Sequence, residues 1–360
     1  MALTGQGWRR AAVAIVGLAA AGLVVRVLFD SSDELLTAAD TLTSVRVGWV
    51  VVAVLVEVLS YAARGAASTV VLRRGGAVVG PITMAAGTLA GDAAAYCLPF
   101  GFAASGVVMV GVLRRRQVGA ALASWMFAVC SLFYVASITA LTIVAVQIPG
   151  GDNPISGLQT ISIVLLIVLA LIGAGYALLR RPTVRLRLTR ALPSISLPSR
   201  RLKPFASALR AGLGTWASQL RTVRLTPVAG LAVFILMTVS WLADVAVLAL
   251  AFVALHSTPP WTGLLLAYCA GQIAASMPVT PGGIGVVEGS ITLALVAFGG
   301  AETITLAAVL LYRLIGYWGC IPAGGLAWLV LRGTSRSPAK LGVNHLDPVA
   351  TEVAEVESTS

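Results

Sequence analysis

Met277-Pro-Val-Thr-Pro-Gly-Gly-Ile-Gly-Val-Val-Glu288 sits in the middle of a long apolar region. Pro278 and Pro281 lack the N–H a helix needs, and Gly282, Gly283 and Gly285 are entropically costly to hold helical. The stretch predicts a helix broken inside a bilayer. Backbone broken at that depth is tolerated only where protein or a water-filled cavity covers it. Glu288 follows at once, and an intramembrane carboxylate is a functional candidate by default. A weaker counterpart lies at Leu98-Pro99.

The surroundings of this break set the class. Of 360 residues, 58% are hydrophobic and only 11% charged. Apolar runs of 18 or more residues point to an all-α polytopic membrane protein, and short alternating β-barrel segments are not seen. The net charge of +11 would suggest nucleic acid in a soluble protein. Here the basic residues cluster between apolar runs, as the positive-inside rule and contact with anionic lipid head groups require, so nucleic acid is not an expected partner. Cys97, Cys130, Cys269 and Cys320 form no CxxC pair and lie in apolar runs. With His256 and His345 they suggest neither a disulfide framework nor a metal site, and no cofactor is expected.

Charge bias orders the spans. Span one is about 8–29, preceded by Arg9 and Arg10, and is too long for a signal-peptide core. Asp30, Asp33, Glu34 and Asp40 would lie outside, and span two, about 45–72, ends inside at Arg73 and Arg74. An interrupted segment, 80–113, follows and ends at Arg114, Arg115 and Arg116. Its arms of about 18 and 13 residues are roughly 27 and 20 Å as helix, against about 30 Å of hydrocarbon. Both its ends are basic, so it enters from inside and returns inside. Span three is about 118–148, and span four about 155–179.

Residues 180–224 hold eleven Lys or Arg and no acidic residue. Leu202, Phe205, Leu209, Leu213, Trp216, Leu220 and Val223 recur every three or four positions there. That pattern predicts an amphipathic helix on the cytoplasmic leaflet; a solvated loop is the alternative. Span five is about 227–255. The second interrupted segment, 261–298, has no basic flank and would enter from and return to the outside. Span six, about 303–331, ends inside at Arg332 and Arg336.

The expected architecture is thus six spanning helices plus two interrupted helical hairpins, re-entrant or short, in an inverted repeat. Residues 1–148 form the first repeat, 149–154 an external turn, and 155–331 the second repeat. Residues 332–360 read as a disordered cytoplasmic tail. Broken hairpins at corresponding places in inverted halves point to a midplane binding site.

Several charged residues fall inside this frame. Glu288 would meet a cationic head group, a proton or an arginine, or else cap the hairpin tip and staple it to a neighbour. Pro281, Gly282, Gly283 and Gly285 let backbone approach closely, and the start of the second arm offers free N–H groups to a phosphate. Arg313, between Tyr312 and Tyr317, needs Glu288 or an anionic head group as its partner. Asp92, Asp244 and Gln272 would line a polar path, and Glu57 and Arg64, on one face of span two, suggest an internal ion pair. No GxSxG, HExxH or Walker loop is present.

The run 278–288, with Gly299 and Arg313 after it, resembles the transmembrane, flippase-like region of lysylphosphatidylglycerol synthases. That family's pattern is roughly Leu-Pro-x-x-Pro-Gly-Gly-x-Gly-x-x-Glu, then Gly, then Arg; Met277 replaces the Leu here. The resemblance spans about residues 8–331 and implies a multi-pass protein of the cytoplasmic membrane, both termini inside, that moves or handles lipids. The family's aminoacyl-transferase domain has no counterpart in the residues after Leu331, so lipid aminoacylation is not implied. The first break, 98–106, departs from the family in lacking a charged residue after its glycine. The leading expectation is translocation of a phospholipid or polyprenyl-linked head group rather than catalysis. An intramembrane enzyme on a lipid-linked substrate, or a non-catalytic partner of a cell-envelope enzyme, are the alternatives.

Overall fold

The computed structural model describes residues 45–97, 101–149, 225–276 and 283–333, with 167, 170, 340 and 341. Spans one and four, the basic loop 180–224 and the tail beyond 341 lie outside the described residues, as do the breaks 98–100 and 277–282, which contain Pro281 and Gly282. What is described is almost entirely helix. In chain order the elements are α1 (Val47–Arg74), α2 (Pro81–Cys97), α3 (Gly101–Arg115), α4 (Ala120–Gln147) and α5 (Pro227–Ala254). Then come α6 (Trp261–Ser276), α7 (Val286–Ala297), α8 (Glu302–Arg313), a π-helical turn (Leu314–Trp318) and α9 (Cys320–Gly333). A two-residue antiparallel pairing joins Ala77–Val78 (β1) to Lys340–Leu341 (β2).

Among the described residues four units are long and apolar enough to cross a membrane: α1, α4, α5 and the run from α8 through α9. At 28 residues, α1, α4 and α5 are each about 42 Å long, more than the hydrocarbon requires. The arms α2, α3, α6 and α7 have 17, 15, 16 and 12 residues, so each alone falls short of about 30 Å. On α1, Val47, Val51, Val54, Leu55 and Val58 are exposed together. Such a stripe would be a liability in water and is an ordinary lipid-facing surface in a bilayer.

Apolar side chains gain little from leaving lipid for a protein interior, so close packing and hydrogen bonds must hold these helices together. The antiparallel pair α1 and α5 shows both. The Ser60 hydroxyl donates to the Ser240 carbonyl at 3.1 Å and lies 2.9 Å from its hydroxyl. At the pair's end, the Arg46 N–H donates to the Ala254 carbonyl at 2.9 Å. The start of α5 is capped by Thr226, which accepts from the Ala229 N–H, with Pro227 at the first helical position. On α4, Tyr134 stacks on Trp241 with ring centroids 4.1 Å apart, and its carbonyl accepts from the indole N–H at 3.0 Å.

Glycines let the arms come closer than any side chain would. A Cβ on Gly65 would stand 2.6 Å from the Ala85 nitrogen and 2.7 Å from the Pro81 carbonyl oxygen. One on Gly324 would meet the Leu89 carbonyl oxygen at 2.5 Å. The arm α2 is thus pressed between α1 and α9.

The helical span expected at 303–331 is interrupted by the π turn, which begins directly after Arg313. Gly316 and Gly319 lie in or beside this turn, and helices tolerate such a bulge best where no Cβ resists it.

Gly65→Ala should lower the thermal stability of the purified protein by about 1–3 kcal/mol, because the obstacle is backbone and cannot rotate away. Gly111→Ala, whose Cβ would meet nothing within 4 Å, should leave it unchanged or slightly raised. Melting curves of the two variants in one detergent make the comparison.

Candidate functional site

The second hairpin turns through residues that require glycine. Gly283 and Gly285 have φ of +70° and +83°, the left-handed region that L side chains rarely adopt. Behind them the arms press together, since a Cβ on Gly271 of α6 would stand 2.4 Å from Ile291 of α7. Helix α7 starts at Val286, which places Glu288 in its first turn. There the helix dipole favours a negative charge. The Gly285 N–H donates to Glu288 Oε2 at 2.7 Å, and Arg313 Nε donates to Oε1 at 2.7 Å. One carboxylate therefore caps α7 and ties it to α8. Both side chains are largely buried, at 13% exposure for Glu288 and 10% for Arg313. The Arg313 guanidinium also lies 4.1 Å from the centre of the Tyr317 ring.

The first hairpin repeats the arrangement with different residues. Arg64 of α1 donates to Asp92 of α2 at 2.7 Å, and its guanidinium lies over Tyr61 at 4.3 Å. This corrects the expectation that Arg64 would pair with Glu57. Seven residues separate those two along α1, an axial rise of about 10.5 Å, whereas Asp92 comes across from the adjacent arm. The carboxyl of Glu57 instead lies against that of Asp244 of α5.

Aromatic hydroxyls connect these groups. Tyr317 of the π turn meets Tyr96 of α2, with centroids 4.6 Å apart, and its hydroxyl donates to the Tyr96 carbonyl at 3.3 Å. Tyr96 lies one turn beyond Asp92. The two ion pairs are thus bridged through Arg313, Tyr317 and Tyr96. The Tyr61 hydroxyl donates to Cys320 Sγ at 3.2 Å, tying α1 to α9. On the other side, Asp244 Oδ2 accepts from the hydroxyls of Tyr268 on α6 and Tyr312 on α8, the latter at 3.1 Å.

Of the residues singled out in the sequence, the structure joins Glu288 to Arg313 and to Gly285, and sets Asp92, through Arg64, and Asp244, beside Glu57, two turns apart along one face of α1. Gln272 is half-buried on α6 and makes no hydrogen bond to another described residue. Pro281 and Gly282 lie outside the described residues. The roles of Tyr61, Tyr96, Tyr134 and Tyr268 were missed; tyrosines inside apolar spans, each with a hydroxyl to satisfy, were the available signal. Among the described residues no group of His, Cys, Asp or Glu could hold a metal ion.

Largely buried charges paired across apolar helices mark a multi-pass integral membrane protein. The chain belongs to the family of the lysylphosphatidylglycerol synthase TM region, whose model matches residues 11–324. That places it among lipid-related membrane proteins. A search of curated proteins finds no match.

Removing one partner of a buried pair leaves the other charged and unpaired, at a cost of about 3–5 kcal/mol. Glu288→Ala should therefore destabilise the protein more than the double variant Glu288→Gln, Arg313→Gln. A double-mutant cycle on thermal stability should return a coupling of roughly 0.5–3 kcal/mol. Additive single effects would rule out the pair as a structural tie.

Proposed function

We propose that this protein translocates a lipid head group, phospholipid or polyprenyl-linked, across the cytoplasmic membrane, between two re-entrant hairpins that belong to an inverted repeat. The observation that carries the reading is the placement of Glu288. Its two oxygens occupy the Gly285 N–H and Arg313 Nε. A free helix start and an arginine are the donors that a phosphate oxyanion seeks. Glu288 holds the place of that anion. A head group entering the site displaces the carboxylate from Arg313, and the carboxylate's return displaces the head group. A cationic portion of the head group would pair with the released Glu288.

The repeat is supported by register. Ser60 and Ser240, which touch each other, are 180 residues apart. At the same offset α1 and α5 begin, each 28 residues long, and so do α2 and α6 at Pro81 and Trp261. Gly91 and Gly271 share this offset too, and each lies where its hairpin's two arms press together. Residues that occupy equivalent places in inverted halves meet at the pseudo-two-fold axis. In this reading residues 1–148 and 155–331 are the two repeats, joined by the turn 149–154, and six helices span. Both termini, the loop 180–224 and the tail 332–360 are cytoplasmic. Arg73, Arg74 and Arg114–Arg116 then face the anionic head groups of that leaflet.

Proteoliposomes carrying labelled phospholipids with anionic, neutral and cationic head groups test the activity. Arg313→Gln should slow translocation at least about tenfold, the rate equivalent of roughly 1.4 kcal/mol. Glu288→Gln should bind anionic lipid more tightly yet translocate it more slowly. Equal rates for wild type, both variants and empty vesicles would defeat the proposal. A new lipid product would favour an enzyme.

The topology has its own check. With the exposed Cys97 made serine, His256→Cys and Glu302→Cys should react with an impermeant maleimide on intact cells. Gln117→Cys should react only after permeabilisation; the reverse pattern, or labelling of all three, contradicts the inverted repeat.

A further inference from the structure

The translocation reading leaves unused an enclosed pair of acids among the described residues. Glu57 and Asp244 come from the two helices that cross at Ser60 and Ser240. In the antiparallel register those serines set, Glu57 stands one turn before the crossing on α1, and Asp244 one turn after it on α5. The two carboxyls lie against each other.

Two carboxylates have only acceptors and repel, so their close approach in low dielectric calls for a proton. Asp244 already accepts from Tyr268 and Tyr312, bonds that favour its charged form and leave the proton to Glu57. A second observation is independent of this contact. Glu57 Oε2 is buried and has no hydrogen-bond partner among the described residues. An unneutralised carboxylate with a bare oxygen in low dielectric is costly, and a protonated one much less so.

The groups facing this pair are few. Arg64 is on α1, seven residues from Glu57, and is neutralised by Asp92 of α2. Tyr134 faces it from α4, Tyr268 from α6 and Tyr312 from α8. No unpaired cation stands beside the pair among these groups to replace the proton.

We propose that Glu57 and Asp244 form a proton-carrying switch between α1 and α5, and that the proton is the ion coupled to movement of the second hairpin. The link is covalent and short. Tyr312, which donates to Asp244, is the residue before Arg313, which holds Glu288 on α7. Loss of the proton sets two carboxylates against each other and reorients Asp244. Tyr312 follows, and Arg313 is carried with it away from or toward the hairpin. The Arg64–Asp92 pair, two turns further along the same face, ties α1 to α2, so the displacement falls on the α5 and α8 side. This coupling rests on the translocation reading for its purpose, but not for its detection.

Two measurements on the full chain in lipid nanodiscs test it, and neither needs lipid transport. Infrared spectra at neutral pH should show the C=O band of a protonated carboxylic acid, sensitive to heavy water. Glu57→Gln should abolish the band and Glu288→Gln should retain it. Spin labels at the exposed Val107 of α3 and Leu293 of α7, with Cys97 made serine, report the distance between hairpins. That distance should change between acidic and alkaline buffer in wild type and stay fixed in Glu57→Gln. Should that variant not fold, Asp244→Asn, which keeps both tyrosine contacts, should likewise lose the pH response. No protonated band in wild type, a band that survives Glu57→Gln, or a pH response shared by wild type and variants would each overturn the proposal. A protein that shows the switch but moves no lipid would retire the translocation reading instead.

Discussion

A charge surrounded by hydrocarbon has no water to fall back on, and this one constraint arranges the interior. Each arginine with a resolved place inside a span meets a carboxylate from a different helix: Arg64 takes Asp92, and Arg313 takes Glu288. A partner on the same helix would leave neighbouring helices free to slide. A partner across the interface fixes both register and distance. Because removing either charge is so costly, these pairs specify an arrangement even where their net contribution to stability is small. The same reasoning explains the rings beside each guanidinium, Tyr61 for Arg64 and Tyr317 for Arg313. They supply an electron-rich face where lipid would offer nothing.

Packing then follows from how near the backbones must come for short polar side chains to reach. Ser60 and Ser240 can touch only because α1 and α5 cross closely. Asp92 reaches Arg64 because Gly65, the next residue, lets α2 lie against α1 without a Cβ between them. Hydroxyls with no partner across an interface turn back to their own helix. Thr69, Thr88, Ser131 and Thr139 all donate to the carbonyl four residues earlier. These bonds satisfy each hydroxyl locally and leave the apolar exterior unbroken.

Much of this was legible in the sequence, for reasons that differ by level. The ends of α1, α4 and α5 fall within a few residues of where apolar runs meet arginines, glycines and prolines, since those boundaries are local chemistry. Pro99 and most of the proline–glycine run lie between α2 and α3 and between α6 and α7, in residues outside those described; of that run only Gly283, Ile284 and Gly285 are described. Glu288 with Arg313 could be named as one possible pair because each is a lone charge in its apolar run. Arg64 was assigned the wrong acid because span two contained one and periodicity cannot see across helices. Its true partner is 28 residues away on another element, and the serine contact spans 180. The π turn after Arg313 escaped for a related reason. Gly316 and Gly319 permit such a bulge, but the demand for it comes from Tyr317 reaching Tyr96 on a different helix.

The position of Glu288 shows why a helix break and an acid belong together here. A continuous helix would have no free N–H groups at that depth, and Arg313 would have no reason to point at one. Breaking the chain exposes donors that lipid cannot satisfy, so some acceptor must stay within reach at all times. Water would serve in an open state, and a head group in a loaded one. In the state described, the side chain three residues past Gly285 serves, and its second oxygen satisfies Arg313. The carboxylate is therefore the cap that makes the start of α7 tolerable when the site is empty, and in the proposed translocation it is also the competitor that an anionic head group must displace. A residue with those two duties could not be assigned to structure or to function alone. In that proposal, the stability of the empty site sets how firmly Glu288 is held, and that firmness sets how weakly a phosphate would bind.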